Sequence, residues 1–101
     1  MSNLHYLKAF TITLTAGTPV QGTAYQVPAG VSVVVMAGQA NTGTVTVAST
    51  SATAINSSTD NFPLTPGDGV SVQVQNTNDL WVDSTVTGDT VRVMFEYEPV
   101  V

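Results

Sequence analysis

Residues with catalytic chemistry are few in this 101-residue chain, and they lie far apart. A Ser/His/Asp nucleophile system needs a histidine to accept the proton. The one histidine, His5, lies between Leu4 and Tyr6, a setting typical of a packed or solvated side chain. With one histidine and no cysteine, the chain cannot supply a multi-histidine or thiolate zinc site. The sequence therefore predicts no catalytic residue and no zinc centre.

Two carboxylates, Asp79 and Asp83, flank Trp81 in a pattern that superficially resembles a sugar-hydrolysing site. The paired carboxyl groups of glycosidases lie roughly 5–10 Å apart. Four residues of extended strand would separate Asp79 from Asp83 by roughly 13 Å, which is too far for a catalytic pair. We therefore interpret these two residues as a solvated strand edge.

Asn76, Asn78 and Asp79 could offer oxygen atoms to a calcium ion, and so could Asp68 in the turn 66–69. Calcium loops usually carry more carboxylates at tighter spacing. The turn 66–69 is also unlike a phosphate-binding loop, because the Gly-Lys-Ser/Thr ending and the following helix are missing. We expect no metal ion and no cofactor, and we do not expect an enzyme.

The elements that would position these residues occur twice. Residues 28–35 return in similar form at 66–74, and residues 41–50 return at 76–85. Each copy contains a Pro/Gly turn, an alternating strand, an Asn-containing turn and a second alternating strand, a pattern that indicates β-hairpins.

Charged residues make up 9% of the chain, against about 25% in an average soluble domain. Thr, Ser and Val fill the difference, and such residues suit half-buried strands.

We predict an all-β fold, a small antiparallel two-sheet sandwich of about eight strands, with a jelly-roll path favoured. An immunoglobulin-like path stays open, although the Cys…Trp…Cys pattern of those domains is absent. One sandwich domain (8–98) is expected between an N-terminal arm (1–7) and a C-terminal tail (99–101). Phe62 and Leu64 are expected to hold the 61–69 loop to the core. The predicted strands cover 8–15, 23–27, 31–37, 44–48, 69–75, 79–84 and 90–98, with a weaker edge strand over 51–58.

The net charge of −5 limits the classes of partner, because Lys8 and Arg92 are the only lysine and arginine residues. Nucleic acids and anionic membrane surfaces are bound by clustered cations, so we expect neither as a partner. The N-terminus lacks the pattern of a secretory signal, and no apolar run is long enough for a transmembrane helix. We expect synthesis and folding in a cytoplasm.

The outward faces of the two copies differ where their inward valines agree. Val34 and Met36 lie where the second copy has Gln73 and Gln75. Trp81 likewise points outward where the first copy has a threonine, and tryptophan is enriched at interface hot spots. Either a loop of the same chain or another subunit would cover these residues, and Trp81 could alternatively stack on a sugar. The inward valines that match are those at 31, 33 and 35 with those at 70, 72 and 74.

The N-terminal arm carries three further apolar side chains, Leu4, Tyr6 and Leu7. Chain ends fray unless they are anchored. We therefore expect these residues to dock on their own chain, on a neighbouring subunit or on a larger surface.

Taken together, the small size, the absence of cysteine, the single lysine and two segments resemble the small phage capsid decoration (cement) proteins. The segments are Val27-Pro-Ala-Gly-Val-Ser-Val33 and Leu64-Thr-Pro-Gly-Asp-Gly-Val-Ser-Val72, each followed by an Asn-Thr turn and a strand. The similarity covers roughly residues 27–97. It implies a non-enzymatic virion protein that sits as a homotrimer on the capsid exterior. There it would bridge major capsid protein subunits and stabilise the head, after synthesis in the host cytoplasm. It implies no small-molecule substrate.

Two other roles remain open from the residues alone. One is a different virion module, such as a head-fibre base, a tail or baseplate part, or a receptor-binding domain. The other is a carbohydrate-binding or adhesion module that uses Trp81. The interface candidates are Leu4, Tyr6, Leu7, Val34, Met36 and Trp81.

Overall fold

Eight strands form nearly all of the regular structure in the computed structural model, which describes residues 6–97. The chain is all-β, as predicted, with one helical turn, α1, and a short 3₁₀ turn at Thr77–Asp79. In chain order the elements are β1 (Tyr6–Thr13), β2 (Val20–Gln21), β3 (Val33–Ala37), β4 (Val45–Ala48), α1 (Ser51–Ala54), β5 (Phe62–Leu64), β6 (Gly69–Val72), β7 (Trp81–Ser84) and β8 (Thr90–Tyr97).

The strands form two antiparallel sheets. The first sheet has the order β1-β8-β3-β6 and the second has the order β2-β7-β4-β5. Each strand of the first half pairs with the strand at the mirrored position of the second half. The pairs are β1 with β8, β2 with β7, β3 with β6 and β4 with β5. The chain therefore folds like one long hairpin whose two arms run side by side through both sheets.

The core fills the space between the sheets with branched aliphatic side chains from alternate positions of each strand. The last strand, β8, shows this alternation clearly, since Val91, Val93 and Phe95 are buried while Arg92 is exposed. The buried apolar cluster consists of Leu14, Val27, Val33, Val35, Ala37, Val45, Val47, Leu64, Leu80, Val82, Val91, Val93 and Phe95. Burial of such side chains contributes roughly 1.5–3 kcal/mol each.

The two copies of the repeat pair with each other through both sheets. In the first sheet Val33 lies opposite Val72, its equivalent in the second copy. In the second sheet Val47 lies opposite Val82, which is again its equivalent. Because antiparallel pairing about equivalent residues has two-fold symmetry, each of these two strand pairs is locally two-fold symmetric.

The segment 23–27 was predicted to be a strand, and this prediction was wrong. The buried Thr77 holds the segment, because its N–H donates to the carbonyl of Tyr25 at 3.0 Å and its hydroxyl accepts from the N–H of Tyr25 at 2.9 Å. The same hydroxyl donates to the carbonyl of Thr23. Thr77 and an isolated bridge between Gln26 and Asn76 thus take the place of a β-ladder. Tyr25 and Val27 pack against the core.

The predicted edge strand over 51–58 was also wrong, because α1 and a turn occupy this segment. Thr50 caps the helical turn by accepting from the N–H of Thr53 at 3.2 Å, which is the interaction for which threonine is favoured before a helix. The Asn61 amide then donates to three carbonyls in this region, including that of Ile55 at 3.2 Å. The apolar/polar alternation of 51–58 is weak, and the Thr50 cap favours a helical turn over a strand.

Two further expectations need correction at the ends of elements. β1 begins at Tyr6 rather than at Lys8, so Tyr6 and Leu7 belong to a strand and pair with β8. In the 61–69 loop Leu64 is buried as predicted, but Phe62 is 53% exposed and does not anchor the loop. Phe62 lies in β5, an edge strand of only three residues, where the opposite sheet gives little cover.

The same turn geometry precedes the first strand of each copy. The N–H of Val31 donates to the carbonyl of Pro28, and the N–H of Asp68 donates to the carbonyl of Thr65. The third residue of each turn is a glycine with positive φ, Gly30 at 82° and Gly67 at 84°. These are type II turns, which require glycine at that position because a Cβ atom is strained there.

We predict that Gly67→Ala lowers the free energy of unfolding by roughly 1–2 kcal/mol, the cost of a left-handed backbone for an L-residue. A Cβ at this position would meet only Gln39, at 3.7 Å, so the effect isolates the backbone. Gly69→Ala is the matched control, because Gly69 has no positive φ and its Cβ would make ordinary contacts. Urea denaturation of both variants measures the difference, and equal stabilities would contradict the turn assignment.

Candidate interaction surface

The two sheets differ in what covers their outer faces. Over the second sheet, α1 and the turn after it pack against β4 and β7. The Thr46 hydroxyl on β4 donates to the carbonyl of Ala54 at 2.6 Å, and both residues are buried. The chain itself therefore covers the part of this outer face around Thr46.

Asp83 is buried under this cover and is not the solvated edge residue that the sequence suggested. Its carboxylate accepts three backbone N–H bonds, from Ser84 at 2.8 Å, Gly17 at 3.1 Å and Asn56 at 2.7 Å. Buried charges need such partners, since burial without them costs several kcal/mol. Asp83 therefore ties the loop after β1 and the turn after α1 to β7.

Asp79 lies in the 3₁₀ turn and not in a strand with Asp83. Its carboxylate accepts from the backbone N–H of Asn76 at 3.3 Å, while the Asn76 side chain accepts from the N–H of Asn78 at 3.0 Å. This reciprocal arrangement is a capping box. Both aspartates thus hold backbone groups, and they do not form a pair of carboxylates across Trp81.

Trp81 lies in β7, opposite Ala48 on one side and Gln21 on the other, and it is half-buried. It shares the outer face of the second sheet with Thr46 and Asp83, which the chain covers. It is therefore on the opposite side of the sandwich from Val34 and Met36.

The outer face of the first sheet carries apolar side chains that remain in contact with solvent. Val34 on β3 lies opposite Met94 on β8, and Met94 lies opposite Ala9 on β1. Leu7 is 63% exposed and Met36 is 37% exposed. We call this surface the outer face of the first sheet; its members are Leu7, Ala9, Thr11, Val34, Met36, Ser71, Arg92, Met94 and Glu96.

Two hollows lie on this face, one near each end of β8. The first has a volume of about 450 Å³, and Thr11, Met36 and Arg92 are among the residues that line it. The second has a volume of about 480 Å³, and Leu7, Ser32, Val34 and Glu96 are among its lining residues. We call them the Arg92 hollow and the Glu96 hollow. The face is thus concave at two places rather than flat.

The charges on this face are arranged along one strand. Arg92 and Glu96 are both exposed on β8, with Met94 between them. The other acidic residues within 6–97 are Asp60, Asp68, Asp79, Asp83 and Asp89, and none of them belongs to this face. The face is therefore close to neutral although the chain carries a net charge of −5.

The structure assigns the sequence-predicted interface residues to different places. Val34 and Met36 share the outer face of the first sheet with Leu7. Tyr6 lies on the other side of β1, where its ring stacks on Tyr97 at a centroid distance of 5.4 Å. Leu4 lies outside the described residues.

The sequence analysis did not identify Ala9 and Met94 as members of this surface. Alternation in the last strand does place Met94 on the outward side, but it does not show which residues lie beside it. Its contact with Val34 depends on the pairing of β8 with β3, which the sequence does not encode locally.

No metal centre or membrane-crossing helix occurs within residues 6–97. No group of three or more His, Cys, Asp or Glu side chains in this range could hold a metal ion. None of the helices in the same range is long and apolar enough to cross a bilayer. Comparisons of the chain with protein-family models, with curated proteins and with solved structures found no match.

We predict that Asp83→Asn lowers the free energy of unfolding by roughly 2–3 kcal/mol. Both carboxylate oxygens accept from backbone N–H groups, so an amide must direct its NH₂ at one of those donors and leave it unsatisfied. Asp60→Asn is the control, because Asp60 is exposed and its carboxylate is not among the acceptors of these bonds. Chemical denaturation at neutral pH compares the two variants, and equal losses would contradict the role of Asp83.

Proposed function

We propose that the chain follows a jelly-roll path. The strand orders β1-β8-β3-β6 and β2-β7-β4-β5 support this path, because each strand pairs with the strand at the mirrored position in the sequence. Jelly-roll domains of eight strands occur in viral capsid proteins and in lectins. A shared path is an analogy of fold, so the function has to be argued from the surface.

We propose further that the protein is a non-enzymatic structural component of a phage virion. It would bind the outside of the capsid, bridge major capsid protein subunits and stabilise the head. The observation that carries this proposal is the outer face of the first sheet, where apolar side chains from neighbouring strands stay exposed. A contiguous apolar surface of this kind marks a site of protein interaction.

The aspartate carboxylates also support a structural role, because they bind backbone groups. Asp83 and Asp89 are buried and accept backbone N–H bonds, and Asp79 completes a capping box. Each of these carboxylates holds a loop in place. Loops held in this way suit a protein whose task is mechanical support.

The overall charge is compatible with the capsid exterior. A net charge of −5 disfavours nonspecific contact with nucleic acid, which is the environment inside a filled head. The neutral outer face of the first sheet can nevertheless bind another polypeptide without strong repulsion.

The test is binding to purified, expanded capsids of the source phage. We expect saturable binding at a fixed number of copies per coat subunit and a rise in the temperature at which the capsids break open. Met36→Glu should weaken binding by at least tenfold, because it places a carboxylate within the apolar surface. Met36 is exposed, so the variant is expected to fold.

Gln26→Glu is the control for this experiment. Gln26 is exposed, and its substitution adds the same charge away from the outer face of the first sheet. Equal weakening by Gln26→Glu and Met36→Glu would assign the effect to net charge alone. Failure of the wild-type protein to bind any capsid would rule out the proposed role.

A further inference from the structure

We propose that the outer face of the first sheet binds the same face of a second copy of this chain about a two-fold axis. The inference rests on the proposed function and identifies the polypeptide that buries this face as a second copy. The capsid is then bound by pairs of this chain through other surfaces, and Met36→Glu weakens capsid binding by separating the pair. Three features of the face fit a self-complementary contact: its charges, its hollows and its centre.

The charges are placed for two-fold pairing. Arg92 and Glu96 lie on either side of Met94 on β8, roughly 13 Å apart by the rise of a strand. When two such faces pack with their β8 strands antiparallel, Arg92 of each copy lies opposite Glu96 of the other. The symmetry supplies both pairs at once, whereas an unrelated partner would need its own matched pair of charges. Such pairs at a rim set orientation more than affinity.

The hollows fit the exposed apolar side chains in the same arrangement. The axis that brings Arg92 opposite Glu96 exchanges the two ends of the face. Leu7 of one copy then lies over Thr11 of the other, which lines the Arg92 hollow. Met36 likewise lies over Ser32, which lines the Glu96 hollow. The two most exposed apolar residues of the face therefore each meet a hollow.

The centre of the face is uncharged and adaptable. Met94 and Val34, which pair in the sheet, lie near the proposed axis and meet their own counterparts. A residue on a two-fold axis contacts itself, so a charge there would be repelled. Methionine has a flexible thioether that fills irregular gaps. Both features favour self-contact.

The size of the face predicts a weak dimer. Four strands spaced about 4.8 Å apart and a similar length along the strands give a projected area of about 400 Å². Stable dimers bury about 800 Å² per partner. We therefore expect pairs to form at high protein concentration, or when copies are held close together on a particle. A two-fold contact produces pairs, so the trimers that the resemblance implies would need other surfaces.

The test is a charge exchange read by sedimentation equilibrium up to millimolar protein concentration. The wild type should approach twice the monomer mass. Arg92→Glu alone, or Glu96→Arg alone, places like charges at both contacts and should weaken association by at least tenfold. The double variant Arg92→Glu with Glu96→Arg should restore association, since the exchanged charges pair again about the same axis.

Thr59→Glu is the control, because Thr59 is exposed in the turn region after α1, near the opposite sheet. It should leave association unchanged. A wild type that stays monomeric at every concentration would overturn the inference, and so would a double variant no better than the single ones. Circular dichroism of each variant checks that the fold is retained.

Capsid binding separates this inference from the proposed function. A monomeric wild type that still binds capsids would overturn the two-fold contact and leave the structural role intact. A wild type that dimerises but binds no capsid would overturn the structural role and leave the contact intact.

Discussion

The rest of the structure depends on the alternation of side chains along each strand, which assigns every residue either to the core or to an outer face. In a sandwich of two four-stranded sheets there is one core and there are two outer faces. The core takes the inward valines of both copies of the repeat. The outer faces must then be made compatible with water, covered by the chain or covered by another molecule. The second sheet is covered in part by the chain itself, whereas the first sheet has no such cover within residues 6–97.

Polar side chains that bond to the backbone hold the loops that make this arrangement. Asp83 and Asp89 accept N–H bonds from segments that are distant in sequence. Asn41 binds the backbone of Thr90 through both atoms of its amide, at 2.7 and 2.8 Å. Each side chain satisfies backbone groups that no strand pairs with, as buried polar groups require. This explains how a chain with 9% charged residues keeps long connections ordered.

The sequence predicts the strands wherever alternation is continuous and both flanking turns contain Gly or Pro. This holds for the last strand and for the first strands of the two copies, whose positions lie close to those of β8, β3 and β6. It fails where the hydrogen bonds of one side chain decide the local structure. Thr77 holds 23–27 outside a ladder, and Thr50 starts a helical turn at 51–54. Neither threonine differs, as a residue type, from the many exposed threonines of this chain.

The surface was only partly predictable for a similar reason. Aligning the two copies identifies Val34 and Met36 as outward and apolar, because the alignment fixes the pleat. The neighbours of these residues depend on strand order, so Ala9, Leu7 and Met94 join the surface only once β8 lies between β1 and β3. Asp83 was wrongly predicted to be solvated. The alternation pattern correctly places it outside the core, but the pattern cannot show that a loop covers that position.

The divergence between the two copies gives the strongest reason to assign a role to the open face. Both copies present valines to the same core, so core packing does not require their outward residues to differ. The first copy has Val34 and Met36 outward on a central strand, while the second has Gln73 and Gln75 just after the edge strand β6. A central strand with apolar residues on both faces is expected where both faces are covered. Within residues 6–97 the cover is missing, since Leu7 and Met36 stay exposed. These exposed apolar side chains are the observation on which the proposed interaction rests.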